Sequence, residues 1–595
     1  MQLVVIIGGG PVGLVSSILL SLQKIPHVLF ERHASTSIHP KACGLNQRTV
    51  EIFRHIGVEA DILRQGAPRD TYSRTGWYTS FGSDGREIHS RDAWGGGQYR
   101  AAFEAASPSP YVMLPQIRLE PILQRRALEL NPDGIKYATE VVKIDEKADR
   151  VIVTVQKADG TQYEVESQYV LGADGGRMVT DWLGIAWEGE REIFDMVSAH
   201  FRAPISQSHP DSRNFISWFI NPETGGSIKS GYMYHLGPYP IDASTEEWYF
   251  GCAMLPDDPE RFDTESTIRR IHRTLNMENL NIELLSVSHW FVSSIVAERF
   301  RSRLGKVFLV GDAAHRIPPW GALGVNTGVQ DAFNLVWKLS FVLQGRVDPT
   351  QAEQLLNSYD EERRPIAQRV AKSSLLNLKS HAGAMDKAIG LSQELGPIEN
   401  QIALNIAMDT AHPDYAQIQL GIEQAQRVLD SEFGAHGTEV GWFYPSADIK
   451  QEGAKTRHAG QIKEDGAFDE LIYHPSTIPG HHLPHAWLQN LVGDVPVSTR
   501  DLIVPDKLLL LTQDPHEWQR VQNENPLVKV EVINNSVGWI DLYGSWARIC
   551  DVGKEGAVLI RPDGIVAWRG RVADSQLHNL LSSFVAHQRP VTSSL

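Results

Sequence analysis

Residues 2–15 read QLVVIIGGGPVGLV, a run of branched apolar residues that breaks into Gly8, Gly9, Gly10 and Gly13. The spacing is G-x-G-x-x-G. A buried strand turns tightly at Gly8, backbone can approach a pyrophosphate at Gly10, and Gly13 lets the next helix pack close to the sheet. The phosphates would sit on a helix N-terminus, where free N–H groups and the helix dipole favour anions. A helix-like stretch, LVSSILLSLQK, leads into a second apolar run, PHVLFER, which delivers Glu31 18 residues after Gly13. That is close to the roughly 20 residues expected before a carboxylate that binds an adenosine ribose. Strand, glycines, helix, strand and acid agree on a dinucleotide site.

The chain has 595 residues, the material of three or four domains. Lys and Arg total 56 against 72 Asp and Glu, and the formal net charge of −16 speaks against a nucleic-acid surface. The three cysteines, Cys43, Cys252 and Cys550, are too few and too scattered for a disulfide framework or a zinc site, so no metal is expected. No secretory n-region precedes the first apolar run, which is too short to span a membrane. A cytoplasmic protein with no membrane partner is the expectation.

Reading along the chain predicts an α/β protein in which one Rossmann-like domain is assembled from separated pieces. Residues 1–75, 111–185 and 301–375 form the nucleotide domain. Within it, LPQIRLEPILQRRALEL is an amphipathic helix, and EVVKIDEK, RVIVTVQKADG and QYEVESQYVLGADGG form a meander returning to the nucleotide sheet. Residues 76–110 and 186–300 are strand-rich and form a second, β-sheet domain over the site; HFRAP, NFISWFINPE, GYMYHLGPYP and EEWYFGCAM are its strands. Residues 376–430 are a helical connector, and residues 431–595 a C-terminal domain.

The third piece, VFLVGDAAHRIPPWGALGVNTGVQDAFNLVWKL, resembles the flavin-ribityl segment of the single-component FAD-dependent aromatic hydroxylases, the flavoprotein monooxygenases. The resemblance makes Gly311 and Asp312 the family's Gly-Asp pair, with Asp312 on a ribityl hydroxyl. A loop with Pro318, Pro319, Gly321 and Gly324 follows, and a helix starts near Asn326; the resemblance sets Gly324, Val325 and Asn326 at the cofactor, with the first N–H groups of that helix on the flavin O2. VLGADGGRM resembles the family's Asp-Gly motif at Asp174 and Gly175, with Met178 and Thr180 where serine and arginine are common. HPKACGLNQRTVEIFR resembles the segment after the second strand, with Lys41 in place of a frequent arginine. Gln116 matches a glutamine that contacts the ribityl-phosphate region, and Arg32 a residue near the adenine. His315 belongs to a pattern found whatever the substrate, and is read as structural.

The resemblance covers nearly the whole chain, and is strongest to the branch of phenol 2-monooxygenase and 2,4-dichlorophenol 6-monooxygenase. It implies that LPHAWL and GAVLIRPDGIVAWR belong to a thioredoxin-like domain. That domain lacks a C-x-x-C and so performs no dithiol exchange; packing or a homodimer is its expected use. The implied reaction uses FAD, NADPH or NADH, and O2 to hydroxylate a phenol, through a hydroperoxide at flavin C4a. The alternatives are Baeyer–Villiger insertion or epoxidation of an aromatic polyketide, a flavin-binding sensor or scaffold without turnover, and a simple nicotinamide dehydrogenase. Trp77, Trp218, Tyr232, Tyr234, Pro319 and Trp320 are candidates for a dry substrate pocket, although each aromatic also suits an ordinary core. For a general base the sequence offers only Tyr232, Tyr234 and His235, on one predicted strand. Tyr232 and Tyr234 would face the same side.

Overall fold

The computed structural model describes residues 2–224, 226–254, 258, 262–392, 394–444, 457–491, 493 and 495–584. Strand Gln2–Ile7 stands at the centre of a seven-stranded sheet, and helix Pro11–Leu22 follows it. His27–Phe30 pairs in parallel on one side of it and Gln162–Gly172 on the other, and Val307–Leu309 adds in parallel to the latter. Register sets Ile7 level with both Phe30 and Gly172, and Gly172 level with Leu309. The segments beginning at Gly8, Glu31, Ala173 and Val310 therefore leave the sheet at one edge, the carboxyl end where open α/β sheets bind ligands. The meander is as read: Thr139–Glu146, Val151–Lys157 and Gln162–Gly172 are antiparallel neighbours, and the last returns alongside Gln2–Ile7.

A second sheet of eight strands stands over that edge. The four strands named from sequence correspond to the end of Trp187–Arg202, to Asn214–Phe219, Tyr232–Gly237 and Glu247–Met254. The hairpin Arg74–Tyr78 and Glu87–Asp92 extends it, with Arg74–Tyr78 pairing Asn214–Phe219 in parallel. Two elements escaped the sequence reading. Helix Thr264–Leu275 lies in the strand-rich region, and strand Glu283–Ala297 pairs along nearly all of Trp187–Arg202. The strand's first half is only partly buried, yet Leu285, Ser286, Val287 and Ser288 alternate as a strand does, so its signal was present in the sequence. Its last turns pair with His315–Arg316, which ties the Gly-Asp loop directly into the second sheet.

Helix Ala352–Ser380 runs on through a π-turn, His381–Asp386, into the short helix Lys387–Ile389 and the helices Pro397–Met408 and Tyr415–Val428. These residues are helical, as read, but they do more than connect. Leu378, Met385, Ile389, Leu404 and Ile422 share one buried cluster with Trp77, Trp218, Tyr232 and Trp320. In the C-terminal part, Leu508–Thr512 pairs in parallel with Val528–Val532 and antiparallel with Ala557–Ile560, which pairs with Val566–Gly570. The unit is thus a β-α-β motif followed by a hairpin and a helix, Ser575–Ser582. All three cysteines are buried free thiols. Among the described residues no helix is long and apolar enough to cross a membrane.

Candidate active site

The glycines at the carboxyl edge divide by what a side chain would meet. A Cβ on Gly13 would lie 2.0 Å from the Gly8 carbonyl oxygen, and one on Gly8, at φ +108°, 2.3 Å from that of Ala173. Those two glycines close the backbone. A Cβ on Gly10 or Gly324 would meet nothing within 4 Å. These two open positions begin the helices Pro11–Leu22 and Gly324–Leu343, neither of which has a side-chain cap. The first intrahelical acceptors are reached only at Leu14, on Gly10 O, and Thr327, on Leu323 O. Two helix N-termini thus present free N–H groups over open space, an arrangement that suits a diphosphate at one end and an electron-rich carbonyl at the other.

Glu31 is held by backbone at both oxygens. One carboxylate oxygen accepts the Gly9 N–H at 2.6 Å and the other the His33 N–H at 2.8 Å, leaving lone pairs for ribose hydroxyls. Arg32 is exposed, its Nε directed at His33. Asp312 is exposed on its loop, with protein packed closely enough around it to desolvate the carboxyl. Burial raises its carboxyl above the ordinary range, against the pull of His315, Lys41 and Arg316. Lys41 adopts φ +46° and lies exposed nearby, and its carbonyl accepts the Tyr234 hydroxyl at 3.3 Å. Gln116, buried at a helix start, donates to Glu120 at 2.5 Å, and its own N–H bonds to Pro40 and Ala42. The chain's own residues therefore fit FAD.

Two motif residues have side chains spent on the fold. Asp174 accepts the N–H groups of Gly176, Met178 and Val179, at 2.7–3.1 Å, and shapes its own turn; Gly175 follows at φ +74°. Asn326 accepts from Asn46 N and donates to Gly44 O and Ala322 O, which leaves it only a backbone N–H to offer. Thr180, where the motif departs from its usual residue, donates to the Ala313 carbonyl at 2.7 Å and steadies the Gly-Asp loop. Arg316 donates to the Gly176 carbonyl from the other side. His315 is fully buried in a chain with Asp331 and Arg363, at 2.7 and 2.8 Å, which anchors helix Gly324–Leu343.

The second sheet presents an aromatic face to this edge. Tyr234 stacks on Tyr249 at 4.5 Å, and Tyr232 packs on Trp218 at 4.7 Å. Trp218 stacks with Trp77, and Trp320, from the Gly-Asp loop, joins the same cluster beside exposed Pro319. The Tyr232 hydroxyl reaches Tyr249, which bonds Ser198 at 2.6 Å, and Ser198 accepts the Trp290 N–H. Burial drives both Tyr232 and Tyr234 well above the ordinary phenol range, so each keeps its proton. His235 does not join them. Strand alternation turns it to the opposite face, against Trp248, where burial lowers it to about 4. Sequence reasoning missed His381, Glu432, Arg91 and Asn377, which come to this wall from a π-turn, a short helix, an edge strand and a long helix and share no local motif.

Glycine cradle, Gly-Asp loop and aromatic wall together define a flavin-dependent monooxygenase of aromatic rings. Residues 1–374 match the family described as "FAD binding domain", and residues 476–587 the one described as "Aromatic-ring hydroxylase, C-terminal". The chain belongs to the FAD-dependent aromatic-ring hydroxylases. It is 31% identical to the 2,4-dichlorophenol 6-monooxygenase of Delftia acidovorans, over 95% of this chain and 94% of that one. It is also 31% identical to a putative polyketide hydroxylase of Streptomyces halstedii, over 96% and 93%. The crystal structure of the flavin-dependent monooxygenase PieE with FAD and substrate aligns with a TM-score of 0.86 at 31% identity, covering 98% of this chain and 97% of that chain.

Proposed function

We propose that this enzyme uses NADPH or NADH and O2 to hydroxylate a small phenol. The observation that carries the proposal is the aromatic face of Trp77, Trp218, Tyr232, Tyr234 and Tyr249, continuous with Trp320 of the loop that leads into the flavin-facing helix. Such a wall stacks a flat ring and keeps out water. Bound FAD supplies the two-electron chemistry and the activation of oxygen that no side chain can. The free N–H groups of Gly324, Val325 and Asn326 would donate to the flavin carbonyl, and Asp312 would hold a ribityl hydroxyl. Gly10 would admit the diphosphate where Gly8 and Gly13 close the turn beneath it, and Glu31 would hold the ribose, with Arg32, Lys41, Gln116, Asp174 and Gly175 completing the surroundings.

The chain is also 31% identical to the putative polyketide hydroxylase, which supports a fused aromatic phenol as a second, weaker reading. Free, buried thiols suit a reducing, cytoplasmic setting. Anaerobic stopped-flow reduction of the flavin by NADPH and by NADH, with and without a panel of monocyclic and fused phenols, is the test. Acceleration by one class of phenol supports hydroxylation and names the class. Fast reduction whatever the phenol points instead to a Baeyer–Villiger or epoxidising enzyme, and no reduction under any condition overturns turnover altogether.

A further inference from the structure

We propose that His381 is the base that ionises the phenol, an inference that rests on the phenolic reading above. His381 opens the π-turn at the end of helix Ala352–Ser380, and single π-turns inside helices concentrate at functional sites. Its ring lies 4.3 Å from Trp218, 5.0 Å from Trp77 and 6.3 Å from Trp320, so it is part of the aromatic wall next to the Gly-Asp loop. Nε2 is 2.8 Å from Glu432, whose other oxygen accepts from Arg91 at 3.1 Å. A carboxylate paired with a guanidinium is acceptor only, so Nε2 carries the proton and the lone pair falls on Nδ1.

Nδ1 is buried and has no partner, and the same holds for the indole nitrogens of Trp218 and Trp320. Three orphaned polar atoms in one buried aromatic cluster, two donors and one acceptor, are the complement of a phenolic oxygen and its proton. The site is also braced. Asn377, one turn before His381, donates to the carbonyls of Trp320 and Ser431 and accepts the Ser431 hydroxyl, locking the π-turn to the Gly-Asp loop.

In the step this implies, the substrate O–H bond breaks, the proton moves to Nδ1, and the imidazolium faces Glu432. The phenolate pushes electron density to its ortho and para carbons. When the oxygenated ring carbon sheds its own proton into the water that takes the second oxygen atom, His381 returns its proton to the phenolic oxygen. The charged groups that face His381 are Glu432, with Arg91 behind it, and Asp386 on the same turn, which is bound to Ser227 and raised to about 6 by burial.

The experiment titrates 4-nitrophenol, yellow only when ionised, into the FAD-loaded enzyme between about pH 5 and 9. Wild type should hold the bound probe ionised at pH values where the free probe is colourless, while H381N binds it neutral with its FAD content unchanged. In turnover, H381N should lose about 10²–10⁴-fold in kcat at neutral pH and recover as pH passes the phenol's own ionisation. Equal ionisation in wild type and H381N overturns the proposal. If H381N loses FAD, E432Q decides: a smaller ionised fraction supports the role and an unchanged one overturns it. Failure of wild type to bind the probe at all removes the phenolic reading, and this proposal with it.

Discussion

At the scale of single residues, the first thirteen positions hold two kinds of glycine that one sequence motif does not tell apart. Gly13 faces a backbone oxygen at 2.0 Å, a contact no rotamer change relieves, whereas Gly10 faces open space. Gly10→Val should therefore leave the FAD-free protein's thermal midpoint unchanged within the effect of about 0.5 kcal/mol usual for a neutral surface site, while abolishing FAD retention on desalting. Gly13→Ala should lower the stability of the FAD-free protein itself, by about 1–3 kcal/mol or more, as overpacking does. Equal loss of stability in the two variants would mean that Gly10 serves the fold and not the phosphates. The spacing points to this region because it encodes backbone geometry. It said nothing of Asn326 and Asp174, whose side chains turn inward to Gly44, Asn46 and the Met178 turn, because those partners are brought near only by folding.

At the scale of elements, the short helix His436–Val440 carries a carboxyl in an apolar setting. Glu439 is buried, its Oε2 has no partner, and burial alone pushes its carboxyl up to about 8. The folded value lies above the unfolded one of about 4.3. The protonated folded form is thus at full advantage below pH 4, and that advantage is lost as pH rises towards 8, at up to about 1.4 kcal/mol per pH unit between the two values. Wild type should lose thermal stability from pH 6 to pH 9 more steeply than Glu439→Gln, which stays neutral and keeps the shape. Coincident curves of midpoint against pH for the two proteins would show that Glu439 is ionised in the native state and finds a partner. Elements of this kind were the least legible. Amphipathic Gln116–Leu130 was plain from its spacing, and Glu283–Ala297 alternates at Leu285, Ser286, Val287 and Ser288, but a five-residue helix has no period to read.

At the scale of the whole molecule, the pieces are bound by buried charge pairs that span hundreds of residues. Arg48 pairs with Glu51 and donates to the Asp563 carbonyl at 2.6 Å, and Arg500 reaches the same Glu51. Burial disfavours the Glu51 anion, but Arg500 and Arg48 more than offset it and hold the carboxyl below its usual range. Arg54 grips Asp501 with two bonds at the exposed rim, and in the interior Arg561 joins Glu362, which also neutralises buried Lys338. The sequence announced a separate C-terminal unit through its own strand and helix pattern. It carried no sign of this docking, because Glu51 and Glu362 look like ordinary solvated acids until their partners arrive from residues 500 and 561. Removing one member of such a pair leaves a buried charge unmatched, at a cost of about 3–5 kcal/mol. The FAD-loaded protein should therefore unfold by calorimetry in one transition, with the C-terminal unit melting together with the flavin domain. Glu51→Gln should separate that transition into two, the earlier one silent in flavin fluorescence and the later one releasing FAD. A single, merely lowered transition in Glu51→Gln would mean that the aromatic and aliphatic contacts around Trp442, Tyr444 and Ile565 suffice to couple the two units. Two transitions already present in wild type would mean that the charge pairs orient the C-terminal unit without welding it to the flavin domain.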